Sequence, residues 1–503
     1  MKKVIIIGAG IGGLATANLL AKAGYDVHVY EKASGAGGRA GQVKIDGFTF
    51  DTGPSWYLMP EVFRHYYALL DESVETHLNL KKLSPAYKVF FERQSPIVIT
   101  GDITTDKQTF DQIETGAGRQ LLRYLKRSDM IYQLSLRHFL YSNFEKKLDL
   151  LHPEVVINSL SMLQLALRPI HSYVSKFVKD QRLRQILEYP MVFLGTSPFS
   201  APAIYSLMSA LDFKEGVYYP VGGIYTIIDS LVAIGARSGV TYHYNTEVEK
   251  IMTVGNKATG VLVNGDMVPA DVVISNSDLY HTEMNLLDTT VRSYPEQYWQ
   301  KKEASPSALL ISLGIKGGDA MLEHHNLLFV DEWKANFDAM YSSKQAPDKA
   351  SIYVCKPSKT DSTVAPPGYD NLFILVPLPS GVIYGEQQTK QLTDHYIKQV
   401  EAMTQAVITP KIVVQHVFGP DDFATQYYSW QSSMLGQSHR LRQSAFFRTP
   451  NKSKKLANLY YVGGNSTPGI GLPMCLIGAE LIYKRLAHER RSGPVQAVKR
   501  LEE

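Results

Sequence analysis

The sequence predicts an α/β fold whose central parallel sheet is assembled from three separated segments. Three observations lead there. Residues 4–7 are a β-branched run followed by Gly8-Ala9-Gly10-Ile11-Gly12-Gly13 and a small-residue helix. Far along the chain, residues 271–276 have the same look of a buried parallel strand. Residues 459–462 have it again, before a glycine-rich loop and a last helix.

Each part of the first segment has a physical task. Gly8 allows a tight turn, Gly10 lets a pyrophosphate approach the backbone, and Gly13 lets helix and strand pack closely. The N-terminus of the helix offers free N–H groups and a positive dipole end to that anion. A second strand, residues 27–30, ends at Glu31, at the spacing where an acid accepts hydrogen bonds from a ribose. The first segment is therefore Rossmann-like and dinucleotide-binding.

From Gly216 onward, Pro220-Val221-Gly222-Gly223 leads into an apolar helix over 227–234. Strands at 240–244 and 246–254 follow, with turn dipeptides Gly255-Asn256 and Asn264-Gly265 between alternating runs. They form a β-meander that returns to 271–276. In the third segment Gly463 and Gly464 open a loop to Gly471, and Pro473 suits the first turn of a helix over about 475–490. Such a helix start stabilises negative charge. Between the segments, 101–215 reads as helical and irregular. Residues 286–415 read as an antiparallel sheet, with strands at 308–315, 327–330, 351–355, 372–376 and 412–417 and a long helix at 387–407.

Composition excludes other classes. The chain has 503 residues, with 52 Lys and Arg against 48 Asp and Glu, so a net charge of +4 gives no reason to expect nucleic acid. Two cysteines, Cys355 and Cys475, cannot frame disulfides or a cysteine-rich zinc site, and the fourteen histidines lack metal-ligand spacing, so no metal is expected. Two long uncharged stretches, 189–211 and 456–479, contain interior prolines that argue against membrane-spanning helices.

Further motifs narrow the reading: Gly37-Gly38-Arg39, Asp51-Thr52-Gly53-Pro54-Ser55, Tyr219 to Gly223, Ser275-Asn276-Ser277-Asp278, Gln443 to Arg448, and Pro468-Gly469-Ile470-Gly471-Leu472-Pro473. With Pro198-Phe199 and Ile204-Tyr205, they resemble the bacterial-type phytoene desaturases, carotenoid desaturases within the FAD-dependent flavoproteins that include amine oxidases. The resemblance covers nearly the whole chain. It implies an FAD-binding domain from 1–75, 216–285 and 416–495, a substrate domain from 76–100 and 286–415, and a helical, membrane-facing insert at 101–215. It implies noncovalent FAD held by Gly8, Gly10, Gly12, Gly13, Glu31, Lys32, Gly38, Arg39, Gly53, Pro54, Ser55, Val248, Gly463, Gly464, Gly471, Leu472, Pro473 and Met474.

The family reaction removes hydrogens from an acyclic polyene, with the flavin taking the hydride. Phytoene, converted to lycopene or a partly desaturated relative, is the expected substrate, and a quinone or dioxygen the final acceptor. No essential acid or base is legible, and the second proton could leave from an allylic cation. Trp56, Tyr57, Phe199, Tyr205 and Trp430 are candidates for an apolar substrate tunnel. Residues 168–184 read as a basic amphipathic helix, with Lys176, Lys179, Arg182 and Arg184 facing a lipid surface. The expected location is the cytoplasm, peripheral on the membrane. The alternatives are a desaturase or oxygenase of a related carotenoid such as a thirty-carbon polyene, a flavin amine oxidase of the same fold, and a flavin-binding scaffold.

Overall fold

The computed structural model describes residues 1–145, 152–317 and 320–501. Strands β1 (Lys3–Ile7), β2 (Asp26–Tyr30), β3 (Thr241–His243), β4 (Val272–Ser275) and β5 (Leu459–Tyr461) form one parallel sheet in the order β5-β4-β1-β2-β3. The sheet is thus drawn from three distant stretches of sequence, as the strand patterns predict. Side-chain alternation along β1 divides its two faces. Val4 and Ile6 pack with helices α1 (Ile11–Lys22) and α3 (Leu472–Leu486) and with the helix Tyr225–Arg237. Ile5 and Ile7 pack with a three-stranded meander of Val248–Val254, Lys257–Val263 and Asp266–Pro269. Burial on both faces is why β1 is apolar from Val4 to Ile7 rather than alternating. The meander's second turn holds Asn264 and Gly265 at φ of 51° and 80°, the left-handed geometry that an Asn-Gly hairpin selects.

A second sheet has seven strands in the order Ile412–Phe418, Ser307–Lys316, Tyr369–Leu378, Ile352–Cys355, His325–Phe329, Tyr87–Phe91 and Ile97–Ile99. Every pairing is antiparallel except that of His325–Phe329 with Tyr87–Phe91. Through Ile412–Phe418 the sheet runs beyond residue 415. Helix Gly385–Thr404 covers one face, burying Tyr396, Ile397 and Val400 against Ile311, Leu313 and Ile374.

Between 101 and 215 the main elements are helices, including Ile103–Ile113, Ala117–Ser135 and α2 (Pro153–Leu167). The single amphipathic helix expected at 168–184 is not formed. Helix Ile170–Val174 ends, Asp180 caps a new helix, Gln181–Glu188, by accepting the Arg182 N–H, and Ile170, Val174, Val178 and Leu183 are buried in the chain's own core. The basic groups are partly used locally: Arg182 pairs with Asp180 at 3.0 Å and Arg184 donates to the Lys179 carbonyl. Core burial thus takes the apolar face that lipid binding would need. Among the described residues, no helix is long and apolar enough to cross a membrane.

Candidate active site

One cavity of about 1760 Å³ runs from the C-terminal edge of the parallel sheet to the helical insert. It exceeds the roughly 300–1,000 Å³ of an ordinary small-ligand pocket, leaving room for two long molecules. One part is walled by backbone and glycine, the other by aromatic and aliphatic side chains.

The glycine wall is built by close backbone approach. A Cβ at Gly13 would stand 2.2 Å from the Gly8 carbonyl oxygen, so Gly13 is a helix-to-strand packing residue and does not line the cavity. Cβ atoms at Gly10 and Gly12 would each stand 2.7 Å from the Asn276 amide group. Asn276, which follows β4, thus presses on the loop after β1. Glu31 holds that loop from the other side, its two oxygens accepting the N–H groups of Ala9 at 2.8 Å and Ala33 at 2.9 Å. Glu31, Lys32 and Val248 line the same end; Lys32 lies 3.3 Å from the Tyr428 ring centroid, and burial lowers its pKa.

Arg39 crosses to the third segment. It donates to Ser429 Oγ at 2.5 Å and pairs with Asp278 Oδ2 at 3.4 Å, while its Nε is buried without a partner. Asp278 also accepts from Asn465 Nδ2 at 3.0 Å, tying residues 39, 278 and 465 into one cluster. Burial raises the Asp278 pKa, and Arg39 opposes that shift. Asp51 caps the helix Tyr225–Arg237 by accepting the Ile224 N–H at 2.7 Å and the Tyr225 N–H at 3.2 Å; burial pushes its pKa to about 6. A Cβ at Gly53 would meet the Arg39 carbonyl oxygen at 1.9 Å, so only glycine fits. Gly38, Arg39, Gly53, Pro54 and Ser55 all line the cavity.

Gly463, Gly464, Gly471, Leu472, Pro473 and Met474 form the facing wall. Gly471 is the N-cap of α3 at φ 117°, with no side-chain cap, so the first N–H groups of α3 lack intrahelical partners. Together these features fit a dinucleotide flavin: a glycine cradle at a helix start for pyrophosphate, a carboxylate at the ribose position, a buried unpartnered guanidinium nitrogen, and a second helix N-terminus.

Of the five tunnel candidates, Trp56 and Tyr205 line the cavity. Trp56 stacks on His325 with centroids 4.4 Å apart. The other three lie elsewhere. Tyr57 is fully buried against Phe63 and Tyr218. Trp430 packs in another core with Trp299 and Tyr280. Phe199 packs on His171 and Phe337 behind the wall. Adjacency to a motif did not separate wall from core. The apolar wall instead uses Tyr189, Phe193, Phe329, Trp333, Phe337, Met340 and Tyr353, drawn from the insert, the second sheet and the helical stretch from Trp333 that follows its strand His325–Phe329.

Helix α2 also borders the cavity, through Val155, Ser159, Met162, Leu163, Ala166 and Leu167. Val156, Ile157 and Leu160 on its outer side, and Leu163 and Leu167 at the edge of the cavity lining, are 50–80% exposed. Its one charged residue, Glu154, is held by Arg137 and His138. The apolar, almost uncharged composition of 153–167 was a visible signal in the sequence.

Comparison with known proteins agrees with this geometry. Residues 11–478 match the family described as flavin containing amine oxidoreductase. A carotenoid 3,4-desaturase from Haloarcula japonica is 38% identical over 95% of this chain and 96% of its own. A zeta-carotene-forming phytoene desaturase from Myxococcus xanthus is 33% identical over 96% of this chain and 94% of its own. Among solved structures, an oxidoreductase from Methanosarcina mazei shares the fold, with a TM-score of 0.64 at 17% identity over 95% of this chain and 99% of that one. The chain belongs to the flavin containing amine oxidoreductase family, in its group of carotenoid desaturases, and is an FAD-dependent oxidoreductase.

Proposed function

We propose that the protein desaturates an acyclic carotenoid, with phytoene or a partly desaturated derivative as substrate. The observation that carries this reading is the single cavity that joins the glycine-walled cradle to an aromatic and aliphatic tunnel. When bound, FAD supplies the hydride acceptor. The chain supplies binding, orientation and dryness. Gly8, Gly10 and Gly12 with the start of α1 receive the pyrophosphate, and Glu31 the ribose. Arg39 and the N-terminus of α3 offer positive potential to the flavin. Trp56, Tyr205, Phe329 and Trp333 hold the polyene straight and exclude water, which keeps a developing cation from capture.

The same reading assigns α2 as the membrane-facing element, in place of 168–184. Its outer face is apolar and its inner face borders the cavity, so a polyene could pass from lipid to tunnel without crossing water. Expression in a host that accumulates phytoene, followed by pigment chromatography, tests the activity. New, more conjugated pigment is expected. Unchanged phytoene, with no conversion of more desaturated carotenoids offered to the purified FAD-loaded enzyme, would overturn it.

A further inference from the structure

Arg448 is 2% exposed and, among the described residues, forms no ion pair with a carboxylate. Its guanidinium donates to three backbone carbonyls: Gln443 at 3.1 Å, Gln437 at 3.4 Å, and Gly464. Its Nε is buried without a partner. Its ionisable neighbours include the phenols Tyr205 and Tyr298, which burial keeps protonated and neutral, and burial lowers the pKa of Arg448 to about 10. Arg39, by contrast, has Asp278. A buried cation without a counter-charge is costly, because three carbonyl dipoles replace only part of its lost hydration.

The position of Arg448 suggests what replaces the rest. Gly464 and Asn465 line the cavity, and the carbonyl that Arg448 grips is the one between them. That peptide is trans, so its plane turns the Asn465 N–H away from the guanidinium. A cation on the oxygen side polarises the peptide and strengthens the N–H as a donor. Gly469 lets the cluster close up: a Cβ there would stand 2.6 Å from His439 Nε2 and 3.7 Å from Arg448 Nε.

We propose that Arg448, acting through the Gly464–Asn465 peptide, is the counter-charge for the negative charge the flavin acquires on reduction. It is a positioning and tuning residue that raises the reduction potential of the cofactor. The proposal rests on the placement of the 463–474 loop against the flavin.

The test is a potentiometric titration of bound FAD against a reference dye. The variants are Arg448→Gln, Arg448→Lys and Gln437→Glu, with folding checked by circular dichroism. Gln437 is buried, with Oε1 unpartnered, so Glu is an isosteric change that adds a carboxylate to the same cluster while Arg448 stays in place. Arg448→Gln and Gln437→Glu should each lower the reduced-to-oxidised ratio at fixed potential at least tenfold, a midpoint shift of about 30 mV for a two-electron couple. Arg448→Lys should stay within threefold of wild type. A purely structural staple would lower thermal stability in Gln and Lys variants alike and leave the midpoint unchanged. Wild-type midpoints in folded, FAD-loaded Arg448→Gln and Gln437→Glu overturn the proposal. If Arg448→Gln fails to load FAD, Gln437→Glu decides alone. Should Gly471→Val move the midpoint while these two do not, only the role of Arg448 fails. If none of the three moves it, the loop placement fails as well.

Discussion

Replacing Ile157 and Leu160 on α2 with Ser should nearly abolish binding to lipid vesicles. These residues are 80% and 68% exposed, within a face that also includes Val156, Leu163 and Leu167. Full burial of one such side chain is worth roughly 1.5–3 kcal/mol. At their exposures the five carry about three side chains' worth of apolar surface, or roughly 6 kcal/mol, close to the marginal, reversible binding of one myristoyl chain. The double substitution removes about half of that, roughly 3 kcal/mol, or about a hundredfold in affinity. Cosedimentation with neutral phosphatidylcholine vesicles reads this directly, because neutral lipid removes the electrostatic contribution. Thermal stability should change little, since surface substitutions seldom exceed about 0.5 kcal/mol. Activity on detergent-dispersed carotenoid should persist. The companion change of Lys176, Lys179, Arg182 and Arg184 to Gln should leave neutral-vesicle binding intact. Wild-type vesicle affinity in the Ile157→Ser, Leu160→Ser protein would refute α2 as the docking element.

Gly471→Val should lower turnover more than folding yield. Space at 471 is open, the nearest atoms being 3.9 Å away, so the strain comes from φ 117° and displaces the start of α3; wild-type turnover in a folded, FAD-loaded variant would count against the flavin contact. Glu31→Ala should weaken FAD affinity by roughly 1.5–3 kcal/mol through loss of the ribose hydrogen bonds assigned to it, and it also releases the Ala9 and Ala33 N–H groups that Glu31 holds; flavin fluorescence titration reads this, and an unchanged Kd would remove Glu31 from the site. Asp212 is buried, accepts hydroxyls from Tyr87 at 2.7 Å and Tyr189 at 2.8 Å, and has its pKa raised to about 7 by burial. The folded state therefore holds a proton that the unfolded chain releases near pH 4. Stability should fall as pH rises from about 4 to 7, by a few kcal/mol at most, and Asp212→Asn should flatten that dependence in denaturant titrations; an unaltered slope would contradict it.

The cofactor end was legible because its determinants are local. A strand, a glycine loop and a helix start are each written in a few consecutive residues, and Gly8, Gly10, Gly12 and Glu31 stand together at one end of the cavity. Strand periodicity likewise placed the parallel sheet and five strands of the second sheet within a few residues, but not Tyr87–Phe91 and Ile97–Ile99, which join that sheet from a distant stretch of chain. Partnership across the chain was not written in any window. Asn276 pressing on Gly10 and Gly12, Asp51 capping the helix at 225, and Arg39 meeting Asp278 all depend on which segments the sheet brings side by side. The same holds for the tunnel. Trp56 and Tyr57 are neighbours in sequence, yet one lines the cavity and the other is core, because Tyr57 is bridged to Tyr218 and packed on Phe63 while Trp56 stacks on His325 of the second sheet. Residues 168–184 and 153–167 show the limit most plainly. Both stretches carry apolar residues at helical spacing, and periodicity reports that a face is apolar without saying what covers it. Tertiary packing decided it, burying Val174 and Leu183 in the protein's core and leaving Ile157 and Leu160 without a protein neighbour to cover them.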